Sequence, residues 1–162
     1  MLLIGENIHI ISKSVKEAIE KRDLVFIKNL LDAQKNMDCV DLNIGPARKG
    51  SIYEWLVPLV KENSKFPISF DTTNYDEMSL GLKLFSDNEK CFINSASADR
   101  FDNIADLASE YNSKLIVLTL KGGIPKTSDG RLEIAFELYE KCLERGLIPD
   151  KLYFDPLILS KS

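Results

Sequence analysis

Five short segments place acidic and carboxamide side chains at the ends of apolar runs: Glu6-Asn7, Asp41-Leu42-Asn43, Asp71-Thr72-Thr73-Asn74, Asn94-Ser95 and Asp155-Pro156. An ionised carboxylate only accepts hydrogen bonds, whereas a carboxamide both donates and accepts. A carboxylate at the end of a buried run costs desolvation unless something donates to it. Capping of the following helix or tying down of a loop accounts for any one of these residues, and is the preferred reading for Asn74 and Ser97. Five such endings together point to a ligand. Phosphate is a poor candidate, because no glycine-rich cradle or arginine pair accompanies the acids. Two ligand classes remain open. One is a divalent cation, for which Asp and Asn oxygens are hard donors. The other is a neutral heterocycle rich in N–H donors, whose amidine-like edge offers a carboxylate two parallel hydrogen bonds.

The elements that must position these residues alternate. Apolar runs with branched residues at 2–5, 39–43, 66–71, 91–94, 114–119 and 152–155 have the length of strands buried on both faces. Helical stripes lie between them. Ile52, Trp55, Leu56, Leu59 and Val60 form one, with Pro58 expected to bend it or mark a late start. Ile104, Leu107, Ala108 and Tyr111 form another, and Leu132, Ala135, Phe136, Tyr139 and Leu143 a third, closed by Gly146. Met78, Leu82 and Phe85 give a weaker stripe with Asn74 and Glu77 as its cap pair, and residues 14–35 are helical in pattern with a break near Asp23. Six strands joined by helical connections imply right-handed parallel crossovers. A doubly wound sheet and part of a (β/α)8 barrel both fit. No GxGxxG follows the first strand and no GxxxxGK[ST] occurs, so the barrel is preferred. A barrel needs eight strands, and six are read here.

The 162 residues are 44% hydrophobic and 28% charged, which suits one globular domain. Twenty-one basic against 25 acidic side chains, a net charge of −4 without like-charge blocks, argue against nucleic acid or an anionic membrane as partner. No apolar run is long enough to span a bilayer. The apolar start meets Gly5-Glu6-Asn7 at once and lacks a basic flank, so no signal peptide is expected. Cys39, Cys91 and Cys142 are an odd set without CxxC spacing. They read as buried thiols in a reducing, cytoplasmic setting, with a structural zinc not expected.

The motifs Ile4-Gly5-Glu6, Asp41-Leu42-Asn43-Ile44-Gly45-Pro46, Phe70-Asp71-Thr72-Thr73-Asn74, Ile93-Asn94-Ser95, Gly123-Ile124-Pro125-Lys126 and Tyr153-Phe154-Asp155-Pro156-Leu157 together resemble the methyltetrahydrofolate-dependent corrinoid methyltransferases of the acetyl-CoA pathway type. The resemblance runs in order along the whole chain. It implies a TIM (β/α)8 barrel of the pterin-binding class, which also includes dihydropteroate synthase, and makes residues 1–162 one pterin-binding domain cut short after its sixth strand. It implies methyltetrahydrofolate or tetrahydrofolate as substrate, a corrinoid (cobalamin) carried by a partner protein, a homodimer, and transfer of the N5-methyl group to Co(I). By motif, Asp71, Asn94 and Asp155 match the pterin-binding trio, with Asp155 on the 2-amino and N3–H edge. Asp41 and Asn43 orient that network or touch the pterin through water. Glu6, Asn7 and Lys126 are further candidates, the last beside Gly122-Gly123 in the loop after the fifth strand, near the glutamate tail or the corrinoid. No metal held by the protein is implied.

The family's catalytic Asn near N5 lies on a seventh strand, so no catalytic residue is assigned and the 162 residues alone are expected to be inactive. Dihydropteroate synthase is the nearest rival, but would want Asn-Val-Thr-Pro-Asp after strand one and Ser-x-Arg-Pro-Gly after strand two. The chain has Asn7-Ile8-His9-Ile10-Ile11 and Gly45-Pro46-Ala47-Arg48-Lys49-Gly50. A demethylase component that uses tetrahydrofolate as acceptor runs the same site in reverse, and an inactive pterin-binding or docking fragment is the non-enzyme alternative. His9, the sole histidine, reads as solvated or loop-packing in preference to a site role. Cys39, Cys91 and Trp55 read as core, and the charges from Lys61 to Lys65 as a solvated helix face and turn.

Overall fold

Strand and helix alternate along the chain in the computed structural model, which describes residues 1–46 and 51–158. The elements are β1 (Ile4–His9), α1 (Lys13–Lys21), α2 (Leu24–Ala33), β2 (Cys39–Gly45), α3 (Ile52–Asn63), β3 (Ile68–Thr72), α4 (Tyr75–Leu84), β4 (Phe92–Ala96), α5 (Phe101–Glu110), β5 (Lys114–Leu118), α6 (Ser128–Glu144) and β6 (Leu152–Asp155). Short 3-10 turns occupy Asn88–Lys90, Ala98–Arg100 and Pro149–Lys151. The chain divides into two compact units, the first Met1–Phe92 and the second from Ile93 onward.

In the first unit β1, β2 and β3 are parallel neighbours in chain order. Alternation sends Leu42, Ile44, Ile68 and Phe70 toward the helices, where they are fully buried with Ile27, Leu56, Val57, Met78 and Leu82. Each such side chain contributes roughly 1.5–3 kcal/mol of burial. Asp23 starts α2 by accepting from the Phe26 N–H at 3.0 Å, the break expected there. The edge of β1 departs from the sequence reading. Leu2 and Leu3 are exposed, and the strand continues through the polar Glu6 and Asn7 to His9. A bulge makes this possible: Gly5 pairs with Val40 but Ile8 with Leu42, so β1 carries one extra residue.

The buried face of α3 also differs. It is Tyr53, Leu56, Val57, Leu59 and Val60, while Ile52 and Trp55 are only half-buried. Tyr53 selects this face, because its hydroxyl donates to the Leu42 carbonyl at 2.7 Å. Trp55 is left partly in solvent with the Arg22 guanidinium 6.0 Å from its ring. Nor does α3 start late. It begins at Ile52 and passes through Pro58, and the carbonyl that Pro58 cannot serve belongs to the exposed Glu54. Gly81 lets α4 lie against Phe70 and Tyr53, whose rings meet edge to face at 5.3 Å. A Cβ there would come within 2.7 Å of Phe70.

In the second unit β4, β5 and β6 are neighbours in order, with β5 and β6 parallel from Leu115 opposite Leu152 to Leu118 opposite Asp155. α5 buries Ile104, Leu107 and Ala108 of the expected stripe. α6 packs on β5, yet its fully buried residues are Leu138 and Cys142, four apart, while Leu132, Phe136 and Leu143 of the expected stripe are exposed. Gly146 follows with φ +78, the left-handed residue expected at that helix end. All three cysteines are buried and none is in a disulfide, and burial pushes the Cys142 thiol up to about 11.

Asn74 caps α4 by accepting from the N–H groups of Asp76 and Glu77 at 3.0 and 3.2 Å. The Glu77 carboxylate crosses to α3 and accepts from the Tyr53 N–H at 3.1 Å. Burial raises its pKa, only partly offset by that bond and one from Ile52. The folded chain therefore holds the Glu77 proton more tightly than the unfolded chain does, so this group's contribution to stability falls as pH rises from the ordinary carboxylate range through the raised pKa. Glu77→Gln keeps an acceptor without a charge to desolvate. Its stability relative to the unmodified protein should rise between pH 4 and pH 7, measured by urea denaturation at both.

Candidate functional site

The strand register brings the acids together. Asn43 lies opposite Asp71 and Asp41 opposite Ser69 across the β2–β3 pair, while His9 lies opposite Asn43 across β1–β2. Because Leu42, Ile8 and Phe70 face the helices, their neighbours Asp41, Asn43, His9 and Asp71 share the other face. There a cavity of about 250 Å³ is lined by Glu6, His9, Ile11, Asp41, Asn43 and Asp71, all within the first unit.

A chain of hydrogen bonds fixes these side chains. Asn43 Nδ2 donates to Asp71 Oδ2 at 2.5 Å, and Asn43 Oδ1 accepts from the Gly45 N–H at 3.1 Å. Both ends of the carboxamide are thus engaged, so its orientation is set. Gly45 takes φ +56, a turn that suits glycine, and its carbonyl accepts from the Thr72 hydroxyl at 2.6 Å. Thr72 Oγ1 in turn accepts from the Asn74 N–H at 3.1 Å. Asn74 caps α4, Glu77 of α4 holds Tyr53 of α3, and Tyr53 returns to Leu42 on β2. The circuit closes on the strand that began it. The Tyr53 phenol is held well above its ordinary pKa, first by burial and then by the charges of Asp41, Asp71 and Glu77.

Asp41 is 2% exposed, whereas Asn43, Asp71 and His9 are half-buried and Glu6 is exposed. Asn7 is not among the lining residues. Its N–H donates to Gln34 Oε1 at 3.1 Å. The remaining candidates belong to the second unit. Asn94 is half-buried in β4. Asp155 ends β6, with Oδ1 accepting from the Leu157 N–H at 2.8 Å and its carbonyl accepting from Thr119 N at 3.0 Å and Thr119 Oγ1 at 3.2 Å. Lys126 is exposed ahead of α6, and Gly122 in the same loop donates its N–H to the Asp99 carboxylate at 3.0 Å. Of the Gly45–Gly50 motif, residues 47–50 lie outside the described residues.

Three residues of the site, His9, Ile11 and Tyr53, were not assigned to it from the sequence. His9 lines the cavity, a placement that follows from the β1 bulge and not from any local pattern. Tyr53 lies outside the stripe read for its helix and shows its role only through the Leu42 contact. Among the described residues, no three His, Cys, Asp or Glu side chains are arranged to hold a metal ion. No helix among them is long and apolar enough to cross a membrane. The cavity lining brings together three carboxylates, one carboxamide and one imidazole.

The chain is similar to several known proteins. A family model described as "Pterin binding enzyme" matches residues 34–162. A curated protein of Eubacterium limosum, methylcorrinoid:tetrahydrofolate methyltransferase, is 23% identical over 171 residues, covering 100% of this chain and 62% of that protein. Among solved structures, dihydropteroate synthase from Vibrio fischeri matches with a TM-score of 0.64 at 16% identity, over 96% of this chain and 60% of that one. The Xanthomonas albilineans enzyme matches at 0.65 and 17%, over 97% and 59%. The chain thus spans about 60% of the length of these relatives. Its six parallel strands with alternating helices are consistent with part of such a barrel.

The Asn43–Asp71 contact generates a test. In Asn43→Asp two carboxylates meet across β2 and β3, and one retains its proton above the usual carboxylate range. A raised folded-state pKa means stability is lost as pH rises. Asn43→Asp should be closest to the unmodified protein at pH 5 and fall behind by pH 8 in urea denaturation. Asn43→Ala should lose about 1–3 kcal/mol with little dependence on pH.

Proposed function

The chain belongs to the pterin-binding enzyme family, and from that premise we propose that it holds the pterin of tetrahydrofolate for methyl exchange between N5 and a corrinoid carried by a partner protein. The observation that carries the reading is the acid-lined cavity with Asp71 held by Asn43. Its 250 Å³ falls below the roughly 300–1,000 Å³ of pockets that enclose drug-sized ligands, so it suits a ring and not a whole folate. A pterin ring is neutral and edged with N–H groups. Carboxylates bind such an edge through charge-assisted hydrogen bonds. Asp71 is the pterin contact proposed within the cavity, with Asp41 and Asn43 orienting it. Asn94 and Asp155 are proposed as further contacts on their motifs, Asp155 for the 2-amino and N3–H edge.

Methyl transfer from N5 breaks the N5–CH3 bond with its electron pair left on N5, which takes up a proton, while the Co(I) pair forms the Co–CH3 bond. An unprotonated amine is a poor leaving group, so a donor at N5 acts mainly in the transition state. The residues of this chain bind and orient the ring so that methyl and cobalt come into line. The reverse direction, methylcorrinoid to tetrahydrofolate, uses the same site and is the one named for the Eubacterium limosum relative.

Calorimetry of tetrahydrofolate binding tests the reading. Asp71→Asn and Asp155→Asn each replace an acceptor by a donor and should weaken binding roughly ten- to a hundredfold, since hydrogen bonds to charged groups are worth about 1.5–3 kcal/mol. Residues that share one ligand should give losses in the double variant that do not add. EDTA should leave binding intact, and loss of binding in EDTA would favour a cation site. Unchanged affinity in Asp71→Asn rejects the assignment.

A further inference from the structure

The bulge in β1 has a specific support. Gln34, the residue that closes α2, is 2% exposed. Its Oε1 accepts from the Asn7 N–H at 3.1 Å, and its Nε2 donates to the Leu30 carbonyl at 3.1 Å. The carboxamide is therefore oriented at both ends and fills the gap that the extra β1 residue leaves in the β1–β2 ladder. Gly5 makes room for it. A Cβ on Gly5 would overlap Gln34 Oε1 and come within 2.9 Å of Gln34 Cδ and Met37 Cγ.

The bulge decides which side chains reach the cavity. Gly5 and Ile8, three residues apart, pair with Val40 and Leu42, two apart, so both sit on the helix-facing side. A regular strand with Gly5 in this place would put position 7 opposite Leu42 and shift every later side chain by one. His9 would then leave the face it shares with Asn43. With the bulge, Glu6 and His9 both line the cavity.

We infer that Gln34 is a positioning residue for the cavity: its carboxamide holds the β1 bulge and thereby keeps His9 on the face of Asp41, Asn43 and Asp71. The consequence for ligand binding rests on the pterin reading above, whereas the positional claim does not. Gln34 is not among the lining residues. It acts through the backbone of Asn7.

Because His9 is the sole histidine, its imidazole Cε1 proton gives one unambiguous NMR signal, and the Asn7 amide gives a second probe through hydrogen exchange. Gln34→Met preserves side-chain length and removes the acceptor. It should shift the His9 signal at fixed pH and speed exchange at Asn7 about tenfold. Gly5→Ala, which displaces the same oxygen, should do likewise. Leu138→Ala, a core truncation in the second unit, should lower stability and leave both probes unmoved. Tetrahydrofolate affinity should weaken about three- to tenfold in Gln34→Met. If Gln34→Met folds and neither probe moves, the inference is overturned. If that variant does not fold, Gln34→Asn and Gly5→Ala supply the same readout, and unmoved probes in both overturn it. Probes that move while Asp71→Asn leaves tetrahydrofolate affinity unchanged keep Gln34 as a positioning residue and remove the pterin from the cavity. Unmoved probes with lost affinity in Asp71→Asn do the reverse.

Discussion

A carboxylate at the end of a buried parallel strand must be given a donor, and Asn43 gives Asp71 one at 2.5 Å across β2 and β3. The rest of the first unit is arranged around that requirement. Holding Asn43 needs Gly45, whose left-handed turn sends its N–H back to Asn43 and its carbonyl toward Thr72. Thr72 sets Asn74, and Asn74 starts α4. α4 carries Glu77, which holds the start of α3, and Tyr53 of α3 bonds the carbonyl of Leu42, the residue before Asn43. Each link satisfies a backbone group that a strand end or helix end leaves open. The same links that stabilise the loops thus keep the cavity face in place.

The donor is an amide and not a cation, and the difference matters for binding. Lys and Arg side chains do pair with acids in this chain, but on the surface: Lys121 and Lys141 with Glu137, Arg145 with Asp102 and Asp106. A guanidinium beside Asp71 would neutralise it. Asn43 orients the Asp71 carboxylate through one amide hydrogen bond across the strand pair.

The legible parts of the sequence were those whose signal is local. The strand at Leu152–Asp155, the caps at Asp23 and Asn74 and the left-handed Gly146 each follow from a few adjacent residues. Parallel alternation likewise follows from run lengths alone. What stayed hidden depends on partners far along the chain. β1 continues through polar Glu6 and Asn7 because Gln34, 27 residues beyond Asn7, serves the bulge. α3 turns its face from Trp55 to Tyr53 because a phenol finds a strand carbonyl. The α6 stripe predicted the helix but not its buried face, since α6 packs on β5 with Leu138 and Cys142 fully buried while Phe136 stays exposed. His9 could not be placed from its neighbours, because the bulge alone decides its side of the sheet.

One segment of the same edge departs from the motif expected of a dihydropteroate synthase. Likeness to dihydropteroate synthases at 16–17% identity establishes the fold and nothing finer. The segment that differs is Asn7-Ile8-His9-Ile10-Ile11, where a synthase would carry Asn-Val-Thr-Pro-Asp. Here that segment stays in strand form to His9, and Ile10 still donates its N–H to the Asn43 carbonyl at 3.1 Å. A proline three residues after Asn7 would remove the N–H that makes this bond. It would end β1 earlier and release Ile11, which lines the cavity, from its place beside His9. A proline at position 10 would thus forfeit one backbone hydrogen bond of this edge. The bulge, the Ile10 pairing and the imidazole in the cavity are one arrangement, and the methyl-exchange reading requires only that a pterin ring fit against it.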